Sequence, residues 1–323
     1  MSFTMINMES CTHEMNLRFA IDKQKRHRRG NKEDIVGIEN YLPKSMEISK
    51  TQADKLEEIR VRINKPIELI TGDTIAFGEK KVTGDEMEEL LNYLTDYSWF
   101  NLASQIRQGF FTVRGGHRVG IVGRAGIYDE RIESINDISG VNIRVAHEYK
   151  NCAREIMPYI RRADDIYDTL FVSPPGVGKT TYLRDAIRII ASGCDGSRAM
   201  KVAVVDERSE IAACYRGVPQ NDLGGRCDVL DNCPKAKGMR ILLRSMSPQI
   251  IAVDELGGTE DERAVELSRK SGVRILGTIH AKEFKELDDK GMTYLADRFV
   301  FLKKGEHGER SFSVCDNRGN VVC

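Results

Sequence analysis

Nine consecutive residues, Ser173-Pro174-Pro175-Gly176-Val177-Gly178-Lys179-Thr180-Thr181, carry the most specific chemistry in this 323-residue sequence. A short apolar run, Thr169 to Val172, precedes them, and a helical pattern from Tyr182 to Ile190 follows. Strand, glycine-bearing loop and helix in that order are the setting of a phosphate-binding loop. Gly176 and Gly178 let backbone N–H groups turn inward around phosphate oxygens. Lys179 is placed to reach the β- and γ-phosphates of a nucleotide, and the Thr180 hydroxyl to coordinate Mg²⁺. The helix that starts there adds its positive N-terminal end. ATP and Mg²⁺ are therefore the expected ligands; no convincing guanine-reading motif is present, which leaves GTP open. One position departs from the pattern G-x-x-x-x-G-K-[ST]: Ser173 stands where glycine is usual, and Pro174-Pro175 stiffen the approach to the loop.

Two further strands end in groups that can act on a phosphate. IIAVDE, Ile250 to Glu255, buries four apolar residues and delivers Asp254 and Glu255 at its C-terminal end, where open α/β sheets bind ligands. Asp254 is the expected second Mg²⁺ residue, through water, and Glu255 the group that polarises the attacking water. KVAVVDERSEI, Lys201 to Ile211, also ends in acids, Asp206 and Glu207. It is read as a strand inserted between the phosphate-loop strand and the acidic strand, with Glu207 orienting water or metal from beside Glu255. GVRILGTIHA, Gly272 to Ala281, brings Thr278 and His280 toward the γ-phosphate position. Candidate catalytic residues are thus Glu255, Glu207 and His280. Arg208, Arg216 and Arg226 lie in a glycine-rich stretch; they are either stabilisers of phosphoryl charge or a solvated loop.

These groups need a frame. From Asp168 onward strand, loop and helix repeat, with a capping box expected at Thr259 and Glu262, and this alternation implies a mostly parallel sheet with helices on both faces. Before it the pattern differs. EEIRVRI, Glu57 to Ile63, alternates as a half-buried strand, and Met87, Leu90, Leu91 and Leu94 mark a helix that Thr83 helps to start. FFTVRGGHRVGIVGRAGIYDERIESI, Phe110 to Ile135, reads as strands turning at Gly115-Gly116 and at Asp129-Glu130. Asp34 to Ser49 is expected to hold a helix or two, and Cys152 to Arg162 a connecting helix. The organisation that follows is a basic tail (1–33), an N-terminal α+β domain (34–150), a connector (151–164) and an α/β P-loop NTPase core of RecA-like type (165–323).

Composition narrows the classes. Forty-nine basic residues balance forty-nine acidic ones, so no overall field points to nucleic acid or an anionic membrane. No apolar run approaches the roughly 18–20 residues that span a bilayer, and Met1 to Asn31 lacks the apolar stretch of a secretory signal. That segment ends in a basic cluster from Lys23 to Arg29, a solvated tail or a contact for a membrane surface or acidic partner. The eight cysteines include no C-x-x-C pair, which fits a reduced cytosolic chain better than a zinc protein.

The stretches EEIRVRINKPIEL, FFTVRGGHRVGIVGRAG, SPPGVGKTTYLRDAIR, VAVVDERSEIAAC, GVPQNDLGGRCDVLD, CPKAKGMRILLRSMSPQIIAVDELGG and TIHA resemble the stage III sporulation protein AA family of endospore-forming bacteria. The resemblance runs from about Asp34 to the C-terminus and leaves out the basic tail. That family is similar in turn to the hexameric ATPases of type II and type IV secretion systems. The resemblance implies an oligomeric motor or assembly ATPase in the mother-cell cytoplasm, docked on membrane proteins of a channel that joins mother cell and forespore. In secretion ATPases the strand after the phosphate loop ends in an acidic box and a later strand in a histidine box, positions that Asp206-Glu207 and His280 would fill. Arginines of the N-terminal domain also reach the nucleotide there, which makes Arg60, Arg62, Arg114 and Arg118 candidates. Two other classes compete. A nucleic-acid-dependent ATPase shares the RecA core, but zero net charge and the lack of an aromatic-plus-basic stripe weigh against it. A scaffold that only binds ATP would have no need of Asp254 and Glu255.

Overall fold

The structure is a computed structural model and describes residues 37–46, 48, 55–72, 74–97, 99–107, 109–193, 196–305 and 309–323. The expected basic tail lies outside the described residues. From Val36 to Cys323 the chain forms one compact unit that contains two large sheets.

The first sheet is antiparallel and buries alternate residues only where its strands meet the core. Its strands are β1 (Glu58–Arg62), β2 (Pro66–Thr71) and β3 (Thr74–Lys81), followed by helices α1 (Gly84–Leu94) and α2 (Ala103–Ile106), then β4 (Phe110–Thr112), β5 (Arg118–Tyr128) and β6 (Arg131–Arg144). The order is β3-β2-β1-β6-β5-β4, and every pairing is antiparallel. Ile59 and Val61 of β1, Val119 and Ile121 of β5, and Val141 and Ile143 of β6 turn to one face, where Met87, Leu90 and Leu94 of α1 close the core. Period two in the strands and period 3.6 in the helix meet there. Thr83 does more than stand near α1. It caps the helix, accepting from the Glu86 N–H at 3.2 Å while the Glu86 carboxylate accepts from the Thr83 N–H at 2.9 Å. The glycine turn is as expected, with Gly115 at φ 90° and Gly116 at φ 80°, and Asp129 and Glu130 take φ 48° and 59° at the next. Ahead of β1, within the stretch expected to be helical, the described residues form two 3-10 turns, Ile38–Tyr41 and Lys44–Met46.

The connector is not one helix. Asn151 has φ 67°, and only a single turn, α3 (Met157–Ile160), is α-helical. Pro158 accounts for this: it lacks an N–H and its ring excludes the carbonyl of the preceding turn, so a helix can start there but not run through. A two-strand ribbon, β7 (Arg161–Arg162) with β8 (Asp165–Ile166), follows.

The second sheet takes β9 (Thr169–Val172), helix α4 (Lys179–Ser192), β10 (Val202–Asp206), β11 (Cys227–Asp231), α5 (Lys235–Ser245), β12 (Ile250–Val253), α6 (Thr259–Lys270), β13 (Arg274–Ile279), α7 (Phe284–Asp289), β14 (Arg298–Lys304) and β15 (Arg310–Asp316). Its order is β11-β10-β12-β13-β9-β14-β15. The pairings from β11 through to β14 are parallel, and β14 with β15 is antiparallel. Helix α4 covers one face through Leu183, Ala186, Ile187 and Ile190. Met239 and Leu242 of α5, Ala264 and Val265 of α6, and Leu287 of α7 cover the other. β9, β10 and β12 are buried along their whole length, which is why they read as unbroken apolar runs.

Two further expectations need correction. β10 does not lie between the phosphate-loop strand and the acidic strand. β13 holds that place, and β10 stands on the far side of β12. Sequence order cannot reveal this, because a crossover helix returns a parallel strand to either side of its predecessor. The capping box at Thr259 and Glu262 also does not form. Thr259 is the first residue inside α6, the N-cap is Gly258 at φ 97°, and a residue with helical backbone cannot fold its side chain over its own first turn.

Gly238, inside α5, is where the helix comes down on the sheet. A Cβ there would stand 2.4 Å from Val205 Cγ1. Helix propensity favours alanine by about 1 kcal/mol, whereas overpacking typically costs about 1–3 kcal/mol. Gly238→Ala is expected to lower the midpoint of denaturant unfolding; an unchanged or raised midpoint would show that the α5–β10 contact yields freely.

Candidate functional site

Parallel strands end at one edge of the sheet, and the loop after β9 opens there. Gly176 at φ 80° and Gly178 at φ 111° occupy the left-handed region, where a side chain would be strained. Ser173 keeps a negative φ, so the serine that replaces the usual glycine carries no backbone penalty. It is buried, and its hydroxyl donates to the Pro174 carbonyl at 2.8 Å.

Lys179 is buried to 6% exposure. Its ammonium donates to the carbonyls of Ser173 at 2.9 Å and Pro174 at 3.1 Å and lies 3.0 Å from His280 Nδ1. Desolvation pulls its pKa below the ordinary lysine value, against the opposing charges of Asp254 and Glu255. The Thr180 hydroxyl, one residue on, donates to Asp254 Oδ2 at 2.7 Å. Asp254 Oδ1 accepts from the Thr278 hydroxyl and from the Glu255 N–H.

Glu255 has φ 51°, unusual for a residue with a long side chain. Two bonds to Thr278 hold it there: the Glu255 N–H to Thr278 Oγ1 at 2.7 Å and the Leu256 N–H to the Thr278 carbonyl at 2.8 Å. The turn swings the carboxylate toward His280 Nε2, 3.1 Å from Oε1, and Arg208 Nη1, 2.9 Å from Oε2. Burial acts to raise the Glu255 pKa, but the His280 hydrogen bond and the Arg208 charge outweigh it and hold the carboxyl below its usual range. Its partners also set the roles of the two His280 nitrogens: an ammonium only donates and a carboxylate only accepts, so Nδ1 accepts from Lys179 and the Nε2–H donates to Glu255. The result is a continuous line, Lys179–His280–Glu255–Arg208, beside a second pair, Thr180–Asp254.

The structure separates the remaining acids from this network. Asp206 is buried and accepts the N–H groups of Glu210, Ile211 and Ala212 at 2.9, 3.0 and 2.7 Å, so it closes the turn after β10. Burial pushes its carboxyl up to about 6 although those three donors act to lower it. Glu207 pairs with Lys235 at 2.6 Å and shares no hydrogen bond with Lys179, Thr180, Asp254 or Glu255. Of the loop arginines, Arg208 alone reaches the line; Arg216 pairs with Asp96 at 3.4 Å and Arg226 donates to the Ala199 carbonyl at 2.7 Å. The N-terminal arginines are engaged elsewhere in their own chain: Arg60 with Glu58, Arg62 with Glu68, Arg118 with Glu210, and Arg114 over the Tyr215 ring.

Sequence reading missed Lys235, the partner of Glu207, and Arg310, whose guanidinium rests against Gly178. Neither belongs to a local pattern; only the folded sheet brings them in. The Thr180 hydroxyl and an Asp254 oxygen facing each other form the sparse oxygen set that suits Mg²⁺, an ion that keeps several waters and takes phosphate oxygens. Among the described residues no group of three or more His, Cys, Asp or Glu forms a protein-only metal cage. The described cysteines are all free, and no described helix is long and apolar enough to cross a membrane.

Residues 29–322 match the family described as sporulation stage III, protein AA. The chain is 36% identical over 296 residues to stage III sporulation protein AA of Bacillus subtilis (strain 168), covering 88% of this chain and 96% of that one. Among solved structures it is similar to the pilus retraction motor PilT with bound ADP, at 13% identity and a TM-score of 0.57, over 80% of this chain and 78% of that one. It is also similar to the Legionella pneumophila ATPase DotB, at 16% identity and a TM-score of 0.54, over 81% and 77%. At such identities these two likenesses concern the fold.

The geometry gives Asp206 a structural task that can be tested apart from chemistry. Asp206→Ala strands three N–H groups, two of them buried, and each buried one costs about 1–3 kcal/mol. We expect thermal unfolding to fall by many degrees, whereas Glu207→Ala, which removes a partly exposed pair, leaves it nearly unchanged. Equal effects of the two would contradict the assignment.

Proposed function

The chain belongs to the sporulation stage III protein AA family, and from that premise we propose that it is an ATP-hydrolysing, ring-forming ATPase of the secretion type. Its place is the mother-cell cytoplasm, on membrane proteins of a channel complex between mother cell and forespore. In this reading residues 34–150 are the N-terminal domain, 151–164 the connector and 165–323 the RecA-like P-loop core.

The observation that carries the proposal is the meeting of a phosphate loop, a hydroxyl–carboxylate pair and a base at one sheet edge. Residues Ser173 to Thr181 cradle the phosphates. Lys179 exchanges its bonds to the Ser173 and Pro174 carbonyls for bonds to β- and γ-oxygens, which restores the solvation its burial removed. Mg²⁺, when bound between Thr180 and Asp254, supplies charge neutralisation for those oxygens. Glu255 stays ionised beside Arg208 and His280 and takes the proton of the attacking water. His280, touching both Lys179 and Glu255, reports on the γ-phosphate because its two partners move when one is present. Glu207 orients water only if the turn after β10 moves inward, which makes it the weaker candidate. Arg208 is the one described arginine on the line, and its charge is spent on Glu255; a neighbouring subunit is therefore the proposed source of the arginine that meets the γ-phosphate, and a hexameric ring the proposed assembly.

Two lines of measurement test this, one on the site and one on assembly. Lys179→Ala is expected to abolish tight ATP binding in calorimetry with the fold intact. Glu255→Gln should keep binding and lose turnover by roughly 10²–10⁴, the range for loss of a general base, with Glu207→Gln the milder change; the reverse order would exchange the two roles. Assembly gives the second. Specific activity should rise with protein concentration as rings form, since an arginine at the γ-phosphate is worth about 10³–10⁵ in rate. Full activity in a species that sedimentation shows to be monomeric would overturn the trans arginine.

A further inference from the structure

The order of strands assigns the two sides of the phosphate loop different work. β9 delivers the loop. β13 and β12 flank it on one side and carry His280, Asp254 and Glu255, so terminal-phosphate chemistry belongs there. β14 and β15 stand on the other side, and nothing in the proposed chemistry uses them. Yet Arg310, the first residue of β15, reaches back over the loop. Its Cζ lies 3.7 Å and its Nη2 3.8 Å from the point where a Cβ on Gly178 would stand. The same Cζ is 5.9 Å from the centre of the Tyr149 ring.

Tyr149 lies two residues ahead of the connector, whose first residues are fastened to α4. The Ala153 N–H donates to Asp185 Oδ2 at 2.8 Å, Arg188 reaches Asn151 Oδ1 at 3.1 Å, and Cys152 Sγ lies 3.8 Å from the Thr181 carbonyl. Tyr149 is nonetheless 57% exposed and Arg310 is exposed. Among the described residues neither side chain has a hydrogen-bond or ion-pair partner. Packing does not explain an aromatic ring and a guanidinium held together in solvent at the lip of a phosphate loop.

We propose that Tyr149 and Arg310 form the nucleoside end of the site, with Arg310 against the α-phosphate of a nucleoside triphosphate and the Tyr149 ring as the face on which its base stacks. The inference rests on the ATP-binding reading and extends it. A triphosphate whose γ end lies by Asp254, Glu255 and His280 must run across the loop, whose N–H groups hold the inner phosphates, and leave toward β14 and β15. A guanidinium suits a phosphate there, and an aromatic face suits any base. A nucleotide seated in this way touches the phosphate-loop helix, the last strand hairpin and the segment ahead of the connector at once.

The test compares ATP with inorganic tripolyphosphate, which has the phosphates and no base, by calorimetry on the full chain. Tyr149→Ala is expected to weaken ATP by roughly tenfold, within the range for loss of one stacked base, and to leave tripolyphosphate affinity unchanged. Tyr149→Phe keeps the ring and should bind ATP as the wild type does. Arg310→Ala should weaken both ligands, by about tenfold, as removal of a charged hydrogen bond does. A Tyr149→Trp chain supplies a readout that does not depend on a truncation: ATP quenches its added fluorescence and tripolyphosphate does not. ATP binding untouched by Tyr149→Ala, or Tyr149→Ala weakening both ligands alike, overturns the stacking assignment. Arg310→Ala without effect overturns the phosphate contact. A wild-type chain that binds neither ligand refutes the ATP-binding reading itself, a result distinct from the other two.

Discussion

Everything at the site depends on where Asp254 puts its two oxygens. One holds the Thr180 hydroxyl at the start of the phosphate-loop helix, and the other holds Thr278 on the neighbouring strand and the N–H of Glu255. A single carboxylate thus joins β12, β13 and α4, and it does so beside a lysine that burial has stripped of water. Groups of this polarity are tolerated in such surroundings only when each is bonded. Each of these groups has a partner, and those of Lys179 are loop carbonyls and an imidazole rather than an anion.

The parallel sheet makes this possible. Strands buried on both faces leave their ends as the only places where polar groups can emerge, and parallel pairing puts those ends at one edge. β9, β12 and β13 are neighbours, so Lys179, Asp254, Glu255, Thr278 and His280 converge without any long-range loop reaching in. Glu255 has a left-handed backbone held by Thr278, and that turn brings its carboxylate to His280.

The loop after β10 links this edge to the first sheet. Arg208 holds Glu255, while Glu210 pairs with Arg118, Arg216 with Asp96, and Gln220 accepts from the Gly115 N–H. One short segment thus touches the Glu255 carboxylate at one end and the antiparallel sheet at the other, and Asp206, bonded to three N–H groups, keeps its beginning in shape.

Local structure was legible in the sequence wherever it is written in consecutive residues. The phosphate loop needs its glycines and lysine at fixed spacing, β10 and β12 announce themselves as unbroken apolar runs ending in acids, and the turn at Gly115-Gly116 follows from the freedom of glycine. The family membership was legible for the same reason, in stretches such as SPPGVGKTTYLRDAIR. Tertiary structure alone decided the rest. Whether Glu207 or Glu255 faces the loop depends on which side of β12 a crossover returns β10, and the two acids end their strands in much the same way. Whether Thr259 caps or continues its helix depends on the turn before it. The meeting of Arg310 and Tyr149 at Gly178 joins residues separated by most of the core, and the alternation of residues along a strand says which face a side chain takes, never which distant strand will lie beside it.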